Sequence, residues 1–129
     1  MLEIKDMLEI MTVLNILVPC ILILSGLLMK GQTDRSKGIG FKTGRAMESD
    51  EAFSFANRLC GRLWIMVGAA MLVLTAVGFF SMAKYTEKAL LVLQALIFVV
   101  QVTAAVCAGA YTEGKLKKRT EISVKEKEE

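Results

Sequence analysis

The side chains in this sequence best placed for chemistry are uncharged amides and hydroxyls set inside apolar runs. Asn15 and Pro19 are four residues apart. Proline has no N–H, so in a helix the carbonyl of Asn15 loses its partner, and a kink with a free acceptor is expected there. Gln94 and Gln101 are seven residues apart and share nearly one helix face. Counted from the ends of their apolar runs, Asn15 and Gln94 fall at similar depth, with Pro19, Thr75 and Gln101 nearer the middle. These five residues are expected to form an interhelical polar ladder, each bond contributing about 0.6 kcal/mol on average. The same groups could instead line a path or a peptide-binding groove, and the sequence leaves that alternative open.

Other chemistry is poorly provided for. The chain has 129 residues, no histidine and three cysteines. Cys20, Cys60 and Cys107 lack metal-ligand spacing and read as small apolar filler. No ionisable residue lies in the apolar runs, which argues against a proton-coupled pump. A catalytic constellation of acid, base, nucleophile or metal is not discernible. The expectation is a protein that is not an enzyme and carries no cofactor.

The elements that position these residues are long and apolar. Ile10 to Met29, Leu63 to Ala83 and Ala89 to Thr112 contain no Asp, Glu, Lys or Arg, although the chain has 16 basic and 13 acidic residues. About 20 such residues cross a hydrocarbon core of about 30 Å. Buried helices of a soluble bundle would carry a polar stripe. The expected fold is therefore all-α, an integral membrane bundle of three transmembrane helices. The spans fall at about 10–29, 63–83 and 89–112, with a loop at 30–62 and a charged, disordered tail at 113–129. The leader with Glu3, Lys5, Asp6 and Glu9 is net negative, unlike a secretory signal, so the first run is expected to stay in the mature protein.

Charge sets the expected orientation. With three spans, the N-terminus and residues 84–88 share one side, where the basic residues are Lys5, Lys84 and Lys88. The other 13 basic residues lie in the 30–62 loop and after residue 112. Lys and Arg are retained on the cytoplasmic face. The protein is thus expected to sit with its N-terminus outside and its loop and C-terminus cytoplasmic. Trp64, Tyr85 and Tyr111 flank the second and third spans and are expected at headgroup level. The pairs Ala105/Gly109 and Ala104/Ala108 allow close helix approach, within one chain or between copies.

The loop divides in two. Residues 31–44, rich in Gly, Lys, Ser and Thr, read as turn or coil. Gly40, Phe41, Lys42 and Thr43 do not make a phosphate-binding loop, because the glycine spacing before Lys42 is wrong. From Glu48 to Arg62 the pattern reads as a cytoplasmic amphipathic juxtamembrane helix, N-capped by Ser49, with Asp50 and Glu51 favourable to its dipole. Phe53 and Phe55 are expected to anchor it in the lipid boundary.

This loop also carries a resemblance. Gly40, Phe41, Lys42 and Thr43, then Met47 through Phe53, then Ala56, Asn57 and Gly61, occur in the order and spacing of a pattern found in the SdpI-like (SdpI/YfhL) family of bacterial membrane proteins. Lys42 stands where that family usually has Arg, and Phe53 where it often has Trp; Lys keeps the charge but loses the planar fork. Longer members carry an additional membrane region ahead of this one, so a short, single-domain form is expected. The resemblance implies immunity to a secreted antimicrobial toxin peptide, and signalling by binding a cytoplasmic repressor protein. It implies functional roles for Gly40, Phe41, Lys42, Thr43, Glu51, Phe53, Asn57 and Gly61. Asn57 is placed to hydrogen-bond back to the 40–43 loop. The implied partners are membrane lipid, a toxin peptide at the outer side or within the membrane, the repressor, and further copies of the chain, with no direct nucleic-acid contact. The alternative reading is a small oligomeric transporter or efflux component.

Overall fold

The computed structural model describes residues 2–31, 40–81 and 84–128. They form α1 (Ile4–Lys30), a single 3-10 turn (Ala46–Glu48), α2 (Asp50–Phe80) and α3 (Glu87–Glu128). No strand occurs among the described residues. Each helix begins on a side-chain oxygen that accepts from one of its free N–H groups. Glu3 and Asp6 form a reciprocal capping box on α1. The Ser49 hydroxyl accepts from the Ala52 N–H at 3.0 Å, as its sequence position predicts. Thr86 caps α3 by accepting from Ala89 at 3.3 Å.

All three helices are long and apolar enough to cross a membrane. Burial is inverted relative to a soluble protein. Asn15, Thr75, Gln94 and Gln101 are buried, while Val13, Leu24, Val73, Phe80, Val92 and Val106 are exposed on the flanks. An apolar coat of this extent around a polar interior suits lipid as the surrounding solvent. The chain is a membrane protein with three helices suited to cross the bilayer.

The tightest packing joins α1 and α2. Gly26 and Gly61 face one another, and a Cβ on either would stand 2.5 Å or 2.6 Å from the other's carbonyl oxygen. Only the absence of both side chains lets the backbones come this close. The small residues of α3 also serve packing within the chain. Ala108 is buried, and Gly109 lies against Phe41.

Several expectations change. The third span does not give way to a disordered tail at 113. α3 continues as one helix to Glu128, and Leu116 is buried against Ala46 and Ala56. The 48–62 segment is helical from Asp50 and runs without a break into the second span as part of α2. Phe53 is fully buried rather than set in the lipid boundary, and Phe55 is half-buried beneath the Arg119 guanidinium, 4.6 Å from the ring centre. Trp64 is held from inside, its indole N–H donating to the Ala105 carbonyl of α3 at 3.3 Å. The coil expected at 31–44 falls largely on residues 32–39, outside the described residues.

Candidate functional site

The polar side chains gather in two layers. The first is within the spans. α1 remains helical through Pro19, and the carbonyl of Asn15 is left without an N–H four residues on. Two groups from the other helices take it. The Thr75 hydroxyl of α2 donates to it at 3.3 Å, and Gln101 Nε2 of α3 at 3.2 Å. Gln101 Nε2 also reaches the Thr75 oxygen at 3.4 Å. One turn away, Asn15 Nδ2 donates to the Gln94 carbonyl at 3.1 Å and to Gln94 Oε1. The ladder expected from Asn15, Pro19, Thr75, Gln94 and Gln101 therefore exists as a three-helix knot centred on one proline-freed carbonyl.

The side chains of the knot are packed among the three helices. Asn15 and Gln101 are wholly buried, and their oxygens Oδ1 and Oε1 accept no hydrogen bond from any described residue. Thr75 and Gln94 alone among the five reach a groove, of about 300 Å³, lined chiefly by Ile16, Leu72, Phe79 and Phe80. Replacing Gln101 with Leu removes two interhelical bonds and leaves the Asn15 carbonyl to Thr75 alone. The expected result is a loss of about 1 kcal/mol in unfolding stability in detergent. An unchanged or raised stability would show the knot to be energetically idle.

The second layer lies at the end of the bundle where the loop and the α3 extension meet. Gly40 has φ of 113°, a conformation that favours glycine. A Cβ there would also collide with the Asn57 side chain. Asn57, fully buried on α2, reads the next residue's backbone on both sides. The Phe41 N–H donates to Asn57 Oδ1 at 2.7 Å, and Asn57 Nδ2 donates to the Phe41 carbonyl at 3.3 Å. The same Nδ2 donates to the Phe53 carbonyl at 2.9 Å. This is the return contact that its sequence position predicts.

A second clamp ties the loop to α3 through Glu113. The Thr43 hydroxyl donates to Glu113 Oε2 at 2.6 Å, and Arg45 Nη1 pairs with Glu113 Oε1 at 3.1 Å. The Thr43 oxygen in turn accepts from the Ala46 N–H at 3.3 Å, fixing the 3-10 turn. Neither Glu113 nor Arg45 stood out in the sequence. The available signal was that Glu113 is the first charge after the third apolar run, an acid at an end of the bundle dominated by cations. Glu113→Ala is expected to cost only about 1 kcal/mol, because the pair is partly solvent-exposed. It should nonetheless speed tryptic cleavage after Arg45; unchanged cleavage would mean that the clamp does not hold the loop.

Of the eight loop residues singled out by sequence, Gly40, Phe41, Thr43, Phe53 and Asn57 belong to this lattice. Lys42 is exposed beside it. Gly61 lies one turn beyond Asn57, at the α1 crossing. Glu51 is exposed in the first turn of α2 and takes no part. The bonds of the lattice hold a loop of fixed shape, with Lys42 on its surface, across two spans.

The sequence model of the SdpI/YfhL protein family matches residues 32–111. The chain belongs to the SdpI/YfhL protein family. The matched stretch takes in the loop, α2 and the apolar part of α3, and so contains both Asn57 and the Gln94/Gln101 pair. Asn15, Pro19 and Glu113 lie outside it. No curated protein and no solved structure matches the chain.

Proposed function

We propose that this SdpI-family protein protects a bacterial cell membrane against a secreted antimicrobial toxin peptide, and that it signals toxin engagement by holding a cytoplasmic repressor protein. Its action is binding rather than catalysis, and it needs no cofactor. The observation that carries this reading is the loop lattice of an SdpI-family member. Asn57 ties the loop to α2 and Glu113 ties it to α3, so a shift between these spans necessarily moves the loop surface. In this reading the basic end is cytoplasmic, by the retention of Lys and Arg on that side. The N-terminus is outside. The toxin peptide is met at the outer side or within the membrane, and the repressor at the cytoplasmic loop and α3 extension, with no direct nucleic-acid contact by this chain. A homo-oligomer is compatible with the exposed apolar flanks.

The second reading is a small oligomeric transporter or efflux component. The groove beside Thr75 and Gln94 favours it, since its largely apolar walls of Ile16, Leu72, Phe79 and Phe80 offer a cleft to an apolar ligand entering from lipid. Two measurements separate the readings. Expression in a sensitive Gram-positive host, challenged with a sporulation-delay-type toxin peptide, should raise survival over an empty vector if the protein confers immunity. Purified protein in liposomes that moves a substrate against a gradient would instead establish transport.

A further inference from the structure

Beneath the motif loop lies a cavity of about 380 Å³, bounded by the last turns of α1, the loop and α2. Leu28, Met29, Phe41 and Trp64 give it mostly apolar walls. Two polar side chains also line it, Lys42 at the loop and Ser25 on α1. Neither makes a hydrogen bond or ion pair with any described residue. For Ser25 this is unusual, because a helical hydroxyl in lipid ordinarily donates to the carbonyl four residues back. Thr12, Thr112 and Thr120 all do so in this protein. For Lys42 the contrast is with the nearby Arg45, whose charge is met by Glu113.

Among the described residues, the cavity thus presents a cation without an acidic partner at the loop and a hydroxyl without a hydrogen bond deeper among apolar walls. Ser25 lies five residues before the end of α1, about 8 Å along the helix axis. A complementary ligand has an anionic group, a neutral acceptor one level deeper, and an apolar chain beyond. We propose that this cavity is a binding site for an anionic phospholipid. The phosphate pairs with Lys42, an ester carbonyl accepts from Ser25, and the first acyl carbons lie against Leu28, Met29 and Trp64. Basic pockets between spans commonly recognise lipid headgroups in this way. The volume is at the lower end of small-molecule sites, about 300–1,000 Å³. It suits a headgroup and the start of a chain better than a peptide segment. The inference requires only that the three helices cross a membrane and is independent of the immunity reading.

Trp64 is the sole tryptophan of the chain and lines the cavity, so its fluorescence reports the occupant. The full chain would be reconstituted in phosphatidylcholine vesicles containing graded amounts of brominated phosphatidylglycerol or brominated phosphatidylcholine. Brominated phosphatidylglycerol is expected to quench Trp64 with about a five-fold preference, the effect of one Lys acting on one anionic lipid. Lys42→Gln should abolish the preference and Lys42→Arg should keep it. Lys117→Gln, a basic residue outside the cavity, should also keep it. Equal quenching of the wild type by the two lipids would overturn the proposal. So would loss of the preference in Lys117→Gln, which would assign it to the general basic surface. Displacement by inorganic phosphate would assign the site to a soluble anion and also overturn the lipid assignment.

Discussion

Gly61→Ala is expected to be among the most damaging single-methyl additions in this protein. The new Cβ would stand 2.6 Å from the Gly26 carbonyl oxygen and 3.0 Å from the Lys30 nitrogen. Both are backbone atoms of α1, so no side chain can swing aside. Relief requires α1 and α2 to separate along the crossing that Gly26 and Gly61 make possible. Overpacking of this kind costs about 3 kcal/mol at the upper end of its usual range. Gly114→Ala is the internal control, because nothing lies within 4 Å of the Cβ position there. That change should be neutral or stabilising by up to about 1 kcal/mol, the helix propensity difference. Unfolding in mixed micelles compares the two directly. Equal stabilities would mean that the close α1–α2 approach is absent in the membrane.

Asn57→Leu is expected to release the loop while leaving the spans helical. The substitution removes three hydrogen bonds and strands both backbone groups of Phe41 beside α2. A lost bond contributes about 1 kcal/mol, and an unsatisfied buried backbone group costs about 1–3 kcal/mol. The three lost bonds make about 3 kcal/mol, and the cost of the stranded groups is recovered as the loop lifts into water. The observable is local. Tryptic cleavage after Lys42 and Arg45 should accelerate well beyond the effect of Glu113→Ala, with helical circular dichroism retained. Asn57→Asp should release the loop as well, because a carboxylate keeps the acceptor for Phe41 N–H but meets the Phe41 and Phe53 carbonyls without donors. If cleavage were unchanged in both variants, the Asn57 contacts would not be what holds the loop.

The sequence reveals what depends on one helix at a time. Charge-free windows identified the spans, and Ser49 followed by Asp50 and Glu51 identified the start of α2. Pro19 identified Asn15 as the residue with a spare carbonyl, and depth along the spans paired Asn15 with Gln94 and set Thr75 and Gln101 near Pro19; that these two meet at the Asn15 carbonyl is shown by the structure. Asn57 was legible because its partner lay in the adjoining loop. Contacts set by the rotation of one helix against another were not legible. Small residues drew attention to α3, yet the closest crossing sets Gly26 of α1 against Gly61 of α2, with Gly68 seven residues on also packed against α1. Phe53 read as a lipid anchor because an aromatic at a membrane boundary suits either side; only the roll of α2 turns it inward. Glu113 was hidden by its distance in sequence from Thr43 and Arg45. The residues after it, a mixture of Lys and Glu, read as a solvated tail. Lys and Glu are also good helix formers, and α3 continues through them.

In the proposed function, the loop of this SdpI-family protein acts through the lattice that joins it to α2 and α3. Survival under toxin tests that most directly. The wild type, Lys42→Ala and Asn57→Ala would be expressed in a sensitive Gram-positive host, with equal membrane levels confirmed, and challenged with a sporulation-delay-type toxin peptide. Protection by the wild type that both variants lose is the expected result, and it would place function in the loop. Absence of protection by the wild type at confirmed membrane expression would contradict the immunity reading and turn attention to transport. Full protection by Asn57→Ala would contradict the role given to the lattice.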